Sequence, residues 1–210
     1  MTKRVELYSL YERIWHWLQA LSIIALSVTG FEIHAPQTLR LFGFSAASRL
    51  HEALALFTIA NGFLSLFYHV TTGAIRQFMP EPKDMLSMGA VQLRYYVYGI
   101  FHGEQHPFVR QQGNKLNLLQ QVTYLAILNV LLPLQLITGV LMWRAGNWPR
   151  LMDALGGLRS IATLHVGVAW LFVAFVIMHV YLTTTGHTPL AHIKAMIVGH
   201  ESKEAEHEAT

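Results

Sequence analysis

Cysteine is absent from all 210 residues. That absence excludes a disulfide framework, a Cys-ligated iron–sulfur cluster and the Cys-x-x-Cys-His attachment of a c-type haem. Any haem in this chain is therefore held non-covalently, by His or Met. Charge is scarce as well, at 13%, where soluble domains average about 25%. With 53% hydrophobic residues and a mean hydropathy of +0.36, the composition is that of a membrane protein. Proline occurs only 7 times. There is no internal repeat, and no low-complexity tract apart from a His/Glu/Ala-rich tail.

What is present is four long apolar stretches, Ile14–Ile33, Leu50–Val70, Leu118–Met142 and Ile161–Thr183. Each is long enough to span a bilayer, which takes about 20 residues. The first carries His16, Gln19 and Glu32, and no small-residue cleavage site follows it, so it reads as a span rather than a cleaved signal peptide. Pro133 predicts a kink in the third span, tolerable within a bundle. The fold class expected is an all-α membrane protein, a four-transmembrane-helix bundle. Residues 1–199 form one domain and residues 200–210 a polar, frayed tail. The middle loop, Thr71–Asn117, is too long for a turn and too small for its own core. Its stretch Asp84–Phe101 mixes Met, Leu, Val and Tyr with Gln92 and Arg94, which predicts an interfacial amphipathic helix between spans two and three. The outer loop Ala35–Ser48 has room for a short surface helix, and Trp143 and Trp148 in the second outer loop suit an interfacial belt.

The sequence pI of 9.3 does not point to nucleic acid. Even-numbered spans put both termini on one side, together with Lys3, Arg4, Arg13, Arg76, Lys83, Arg94, Arg110, Lys115, Lys194 and Lys203. Only Arg40, Arg49, Arg144, Arg150 and Arg159 fall on the other. The positive-inside rule then makes the termini and the middle loop cytoplasmic, as expected for a multi-pass protein of the bacterial inner membrane.

Histidine is abundant, at 12 residues. His34, His102, His106, His187, His192, His200 and His207 lie outside the spans and read as surface or interfacial residues. The others lie within apolar runs, where an ionisable side chain is costly and marks a functional site. His165 and His179 share the run ATLHVGVAWLFVAFVIMHVY. At about 1.5 Å and about 100° per residue, their separation places them on nearly the same face of one helix, one toward each membrane surface. His16 (RIWHWLQAL) stands near the cytoplasmic start of span one, and His51 (SRLHEALAL) near the outer start of span two. Depth matching gives two pairs, His51 with His165 and His16 with His179. Each pair can supply two axial nitrogens to a haem iron. His69 (LFYHV) also lies at the cytoplasmic level. It can replace His16 as ligand, hydrogen-bond a propionate, or sit among headgroups. Gly30, Gly62, Gly139 and Gly167 allow close approach by a macrocycle or by another helix. Arg13, Arg49 and Arg144 stand at span ends, where they can pair with haem propionates or snorkel to phosphate.

RIWHWLQALSIIALSVTGF, SRLHEALAL, KLNLLQQ followed by LITGVLMWR, and LHVGV with IMHVY resemble the b-type dihaem subunit of respiratory formate dehydrogenase. They are also similar to the cytochrome b subunits of nickel–iron hydrogenase and thiosulfate reductase. The resemblance covers residues 10 to 200. It implies two b haems ligated from spans one, two and four: His51 and His165 for the outer haem, His16 and His179 for the cytoplasmic one. It also implies a quinone site, for menaquinone or ubiquinone, at the entrance to span three, where Asn117 and Gln120 match an Asn and a Gln of that subunit. The chain departs from that subunit at Glu52, where it has Pro after the His, and this bears on the identity of the partner.

The function implied is that of a membrane-anchoring electron-transfer subunit. It would act as the quinone-reactive cytochrome b of a respiratory oxidoreductase complex, not as a complete enzyme. The implied partner is a periplasmic iron–sulfur or multihaem subunit of formate dehydrogenase, hydrogenase or sulfur-compound reductase type. The alternative is a haem-free membrane anchor or a His-based proton-relay or transport subunit.

Overall fold

The computed structural model describes residues 3–80, 85–104, 107, 116–185 and 188–203. Lys83, Asp84, His106, Arg110, Lys115, His187 and His207 lie outside the described residues. Four helices are long and apolar enough to cross a membrane: Leu10–His34, Phe44–Thr71, Leu118–Trp143 and Gly157–Thr183. Each apolar run of the sequence lies inside one of them. The chain divides into two compact units, Met1–Ile75 with Leu182–Thr210, and Arg76–Tyr181.

The first unit is built on helices α1 (Leu10–His34) and α2 (Phe44–Thr71). α1 begins before its apolar run because Ser9 and Glu12 form a reciprocal cap. The Glu12 amide donates to Ser9 Oγ at 3.3 Å, and the Ser9 amide donates to the Glu12 carboxylate at 2.8 Å. The buried stripe of α2 is Ala47, Thr58, Asn61, Ser65 and His69, the spacing of one helix face. Polar residues are inside and Leu, Ile and Phe outside, with Phe63, Leu64 and Phe67 all largely exposed. This inversion of the soluble pattern is stable only where hydrocarbon surrounds the helices. Polar contacts tie α1 to α2. Asn61 Nδ2 donates to Gln19 Oε1 at 2.7 Å, and Tyr11 stacks on Tyr68 at 4.0 Å between centroids. In bilayers such hydrogen bonds contribute about 0.6 kcal/mol each.

The loop between them contains no separate surface helix; α2 itself starts at Phe44. Glu32, fully buried in the last turns of α1, organises this loop. Its carboxylate accepts from the amides of Leu41 at 3.1 Å, Phe42 at 2.9 Å and Gly43 at 2.6 Å. Gly43 has φ of 81°, a conformation other residues rarely adopt.

The tail departs from the expected fraying at its start. Strand β2 (His200–Lys203) pairs antiparallel with β1 (Lys3–Glu6), Lys3 opposite Lys203 and Glu6 opposite His200. The helical class therefore carries one added two-stranded ribbon that joins the two ends of the chain. A short helix, labelled α8 below (Ala191–Val198), precedes β2 and is fastened to α1. Arg13 Nη1 donates to the Ile197 carbonyl at 2.6 Å and Trp17 Nε1 to the Met196 carbonyl at 3.3 Å, so a cation caps the negative end of α8.

The second unit opens, after a 3-10 turn at Ala74–Phe78, with α3 (Met85–Val97), the helix expected in the middle loop. Leu86, Leu93 and Val97 form an exposed apolar face, and Gln92 and Tyr95 are buried. In its last turn, Arg94 makes a two-pronged ion pair with Glu104, each contact 2.8 Å. The third span is α4 (Leu118–Ala126), a π-helical turn (Ile127–Leu131) and α5 (Leu132–Trp143). Where a kink is expected at Pro133, the helix takes a π turn just before it. Proline lacks an N–H and its ring crowds the carbonyl four residues earlier, and a wider turn relieves both. Next come a short α6 (Pro149–Ala154) and the fourth span, α7 (Gly157–Thr183). Trp143 and Trp148 are both substantially exposed at the end of the third span and the start of α6.

Candidate functional site

His51 lies in the second turn of α2, against Thr29 and Gly30 of α1. The Thr29 hydroxyl donates to the Ala25 carbonyl at 2.8 Å, and its oxygen stands 2.9 Å from His51 Nδ1. A hydroxyl has one proton. With that proton given to the backbone, the oxygen accepts from Nδ1–H, and the imidazole lone pair falls on Nε2. Gly30 makes room for the ring: a Cβ there would stand 3.3 Å from His51 Cε1.

The second unit repeats this arrangement. Thr138 of α5 donates to the Leu134 carbonyl at 2.7 Å, and its oxygen stands 2.9 Å from Nδ1 of His165 on α7. A Cβ on Gly139 would stand 3.4 Å from His165 Cε1. A Thr–Gly pair holds each histidine, and both rings carry the lone pair on Nε2. At His165 that lone pair meets the amide of Gln135, 3.0 Å away, whose Oε1 is buried without a hydrogen-bond partner. Iron ligation through His165 Nε2 would displace this amide.

His16, His179 and His69 have aromatic rather than Thr–Gly surroundings. His16 lies near the start of α1 with its ring edge-on to Trp17 at 5.2 Å. His179 stacks on Phe175 one turn earlier, at 5.6 Å. His69 is buried, donates from Nδ1 to the Ser65 carbonyl at 2.8 Å, and lies edge-on to Trp15 and Tyr68. His16 and His69 belong to one unit, and His165 and His179 to the same face of α7 in the other.

These residues suit non-covalent haem. Each imidazole offers a neutral nitrogen donor, two of them are fixed as the Nδ1–H tautomer, and glycines stand where a side chain would push the rings away. Among the described residues no cluster of three or more His, Asp or Glu could chelate a bare metal ion. The donors are separate imidazoles, the number an iron needs when a macrocycle fills its other positions.

The remaining candidates have structural duties. Arg13 caps α8. Arg49 donates to Ser45 at 2.6 Å, and Arg144 lies over the Trp143 ring at 4.3 Å. Asn117, almost fully buried, and Gln120 form the reciprocal cap of α4. The Gln120 amide donates to Asn117 Oδ1 at 2.9 Å, and the Asn117 amide to Gln120 Oε1 at 3.0 Å. Asn117 Nδ2 also donates to the Tyr96 hydroxyl at 2.8 Å, and Gln92 accepts from the Leu119 amide at 3.1 Å, so α3 organises this helix start. Sequence reasoning missed Gln135 and Tyr96, and it carried Thr29 and Thr138 only inside the motifs that bear the resemblance. The available signal was the Thr–Gly pair recurring in spans one and three.

Known proteins are similar to this chain in sequence along most of its length. Cytochrome YdhU of Escherichia coli is 31% identical over 94% of this chain and 75% of its own length. The protein-methionine-sulfoxide reductase subunit YedZ1 of Azospira oryzae is 26% identical over 93% of this chain and 98% of its own. A Ni/Fe-hydrogenase B-type cytochrome subunit of Cupriavidus necator is 26% identical over 85% of this chain and 78% of its own. With residues 7–199 matching the family as a whole, the chain is a four-span membrane cytochrome of b type and belongs to the prokaryotic cytochrome b561 family.

Proposed function

We propose that this chain is a membrane-anchoring subunit that carries two b haems and passes electrons between a periplasmic redox partner and a quinone near the cytoplasmic side. The observation that carries this reading is the like presentation of His51 and His165. Each is held by a Thr–Gly pair with its lone pair on the nitrogen that would bind iron. Depth along the spans pairs these two as ligands of the outer haem and His16 with His179 as ligands of the cytoplasmic one, with His69 the alternative to His16. Haem iron held this way supplies reversible one-electron chemistry. The chain's own part is to fix the imidazoles and to exclude water with the apolar faces of the spans. Arg13, Arg49 and Arg144 are the candidates for charge-assisted bonds to propionates.

A quinone, menaquinone or ubiquinone, is assigned to the start of α4. The cap uses Gln120 Oε1, and the Gln120 amide nitrogen can donate to a quinone carbonyl. The apolar face of α3 supports its lying in the cytoplasmic interface beside that entrance. Two relatives bear the names of hydrogenase and reductase subunits. Those names support a catalytic partner, an iron–sulfur or multihaem subunit of formate dehydrogenase, hydrogenase or sulfur-compound reductase type. The β1–β2 ribbon and the excess of basic residues on that side support cytoplasmic termini in a bacterial inner membrane.

The test is His165→Ala in the membrane-purified protein. Loss of one haem with the helices still inserted is expected, and retention of both would refute the assignment. The buried polar stripe of α2, with Thr58, Asn61, Ser65 and His69, favours a second reading, a haem-free proton relay. A reduced b-type absorbance band decides between them.

A further inference from the structure

We infer that Thr29 and Thr138 are positioning residues that set the electron-donating strength, and so the redox potential, of the outer haem through His51 and His165; this rests on the dihaem reading above. Metal-bound histidines usually donate their second N–H to an acceptor that fixes the tautomer and raises ligand basicity. Here a threonine hydroxyl stands at each ring, joined at His51 by the Leu26 carbonyl. Thr29 is 1% exposed and Thr138 4% exposed, so water does not substitute for either. Each hydroxyl is oriented by its own helix: Thr29 bonds to the Ala25 carbonyl at 2.8 Å and Thr138 to the Leu134 carbonyl at 2.7 Å. Both oxygens stand 2.9 Å from the imidazole Nδ1. A hydroxyl whose one proton is given to its own helix is left to accept from the imidazole, which is more than interhelical adhesion. It dictates which imidazole nitrogen carries the lone pair.

The two arrangements match in chemistry and in local sequence, Val28-Thr29-Gly30 and Ile137-Thr138-Gly139, yet they come from different spans and different units. They differ three residues earlier. Gln135 stands there in α5 and Leu26 in α1. At His69 the Nδ1 contacts are the Ser65 carbonyl at 2.8 Å and the Ser65 hydroxyl at 3.2 Å, and His16 and His179 lie against aromatic rings.

An acceptor on Nδ1–H strengthens donation from Nε2 and favours the ferric form, so its removal raises the potential. Outer-shell substitutions cost about 10- to 100-fold in metal affinity. A neutral hydroxyl belongs at the low end of that range. A tenfold preferential loss of ferric affinity corresponds to about 59 mV for a one-electron couple.

The experiment is a potentiometric titration of the full chain purified from membranes, with low-temperature EPR of the ferric haems. The variants are Thr29→Ala, Thr138→Ala, Thr29→Ser and Thr138→Ser. Alanine removes the acceptor without adding bulk against the ring, and serine restores the hydroxyl. Expected are two haems in every variant, a rise in the potential of one and the same component in both alanine variants, and a return toward the parent value with serine. Unchanged potentials and ferric spectra in haem-replete alanine variants would overturn the inference. So would serine variants behaving as the alanine ones do. If the alanine variants shift different components, the positioning role holds and the His51–His165 pairing falls. If the parent protein shows no b band, the dihaem reading falls, and the inference with it.

Discussion

Adding a single methyl group beside His51 or His165 gives a sharp perturbation. In Gly30→Ala the new Cβ stands 3.3 Å from His51 Cε1, and in Gly139→Ala it stands 3.4 Å from His165 Cε1. Carbon pairs rest at about 3.5–4.0 Å, so each ring must retreat by a few tenths of an ångström. Functional constellations tolerate about 0.5 Å. Alanine therefore sits at the edge of tolerance, and valine, with two further carbons, lies beyond it. Overpacking costs about 1–3 kcal/mol, which corresponds to about a fivefold to a hundredfold loss of haem affinity. The helix itself moves the other way, because alanine inside a helix is favoured over glycine by about 0.5–1 kcal/mol. The predicted signature is thus opposite in sign for fold and cofactor: thermal unfolding unchanged or slightly later by circular dichroism, and haem per chain reduced. Gly89→Ala is the control, since its Cβ would meet only Leu118 Cδ2, at an ordinary 3.6 Å. Gly30→Ala and Gly139→Ala proteins with full haem and parent spectra would refute the cradle.

His16→Ala is expected to remove the cytoplasmic haem and His69→Ala to leave it in place, measured as haem per chain; the reverse result would exchange their roles. Glu32→Ala leaves the amides of Leu41, Phe42 and Gly43 without their buried acceptor. At about 1–3 kcal/mol for each unsatisfied group, faster proteolysis of the outer loop and a lower melting temperature are expected, and unchanged stability would contradict the arrangement. Asn117→Ala removes a helix cap, worth about 1 kcal/mol, so its effect on quinone turnover must be read against Gln120→Glu. The latter keeps the acceptor that caps α4 and removes the amide donor. Slower quinone turnover with intact haem is expected for Gln120→Glu, and unchanged kinetics would take Gln120 out of the site.

The spans were legible because hydropathy over some twenty residues is a long, averaged signal. Some of their starts were not: α1 begins at Leu10, ahead of its apolar run, because the Ser9–Glu12 cap sets it. Ser9-x-x-Glu12 and Asn117-x-x-Gln120 are both local signatures, but Asn117 and Gln120 drew a quinone reading before a capping one. The histidines stood out because each is an isolated cost in hydrocarbon. Their partners did not. Gln135 and Thr138 meet His165 across two helices, and no periodicity within one helix encodes which residue of another it will touch. The same holds for Lys3 opposite Lys203, at opposite ends of the chain with little strand propensity. Glu32 was visible only as an acid in a span. Its worth lies in amides 9 to 11 residues away, fixed by the fold of the loop.

The most direct test of the central claim is the haem count. The protein is purified from membranes in mild detergent, and pyridine haemochrome is measured against chain concentration. Two b haems per chain are predicted, and a folded, correctly inserted protein without haem would contradict the account.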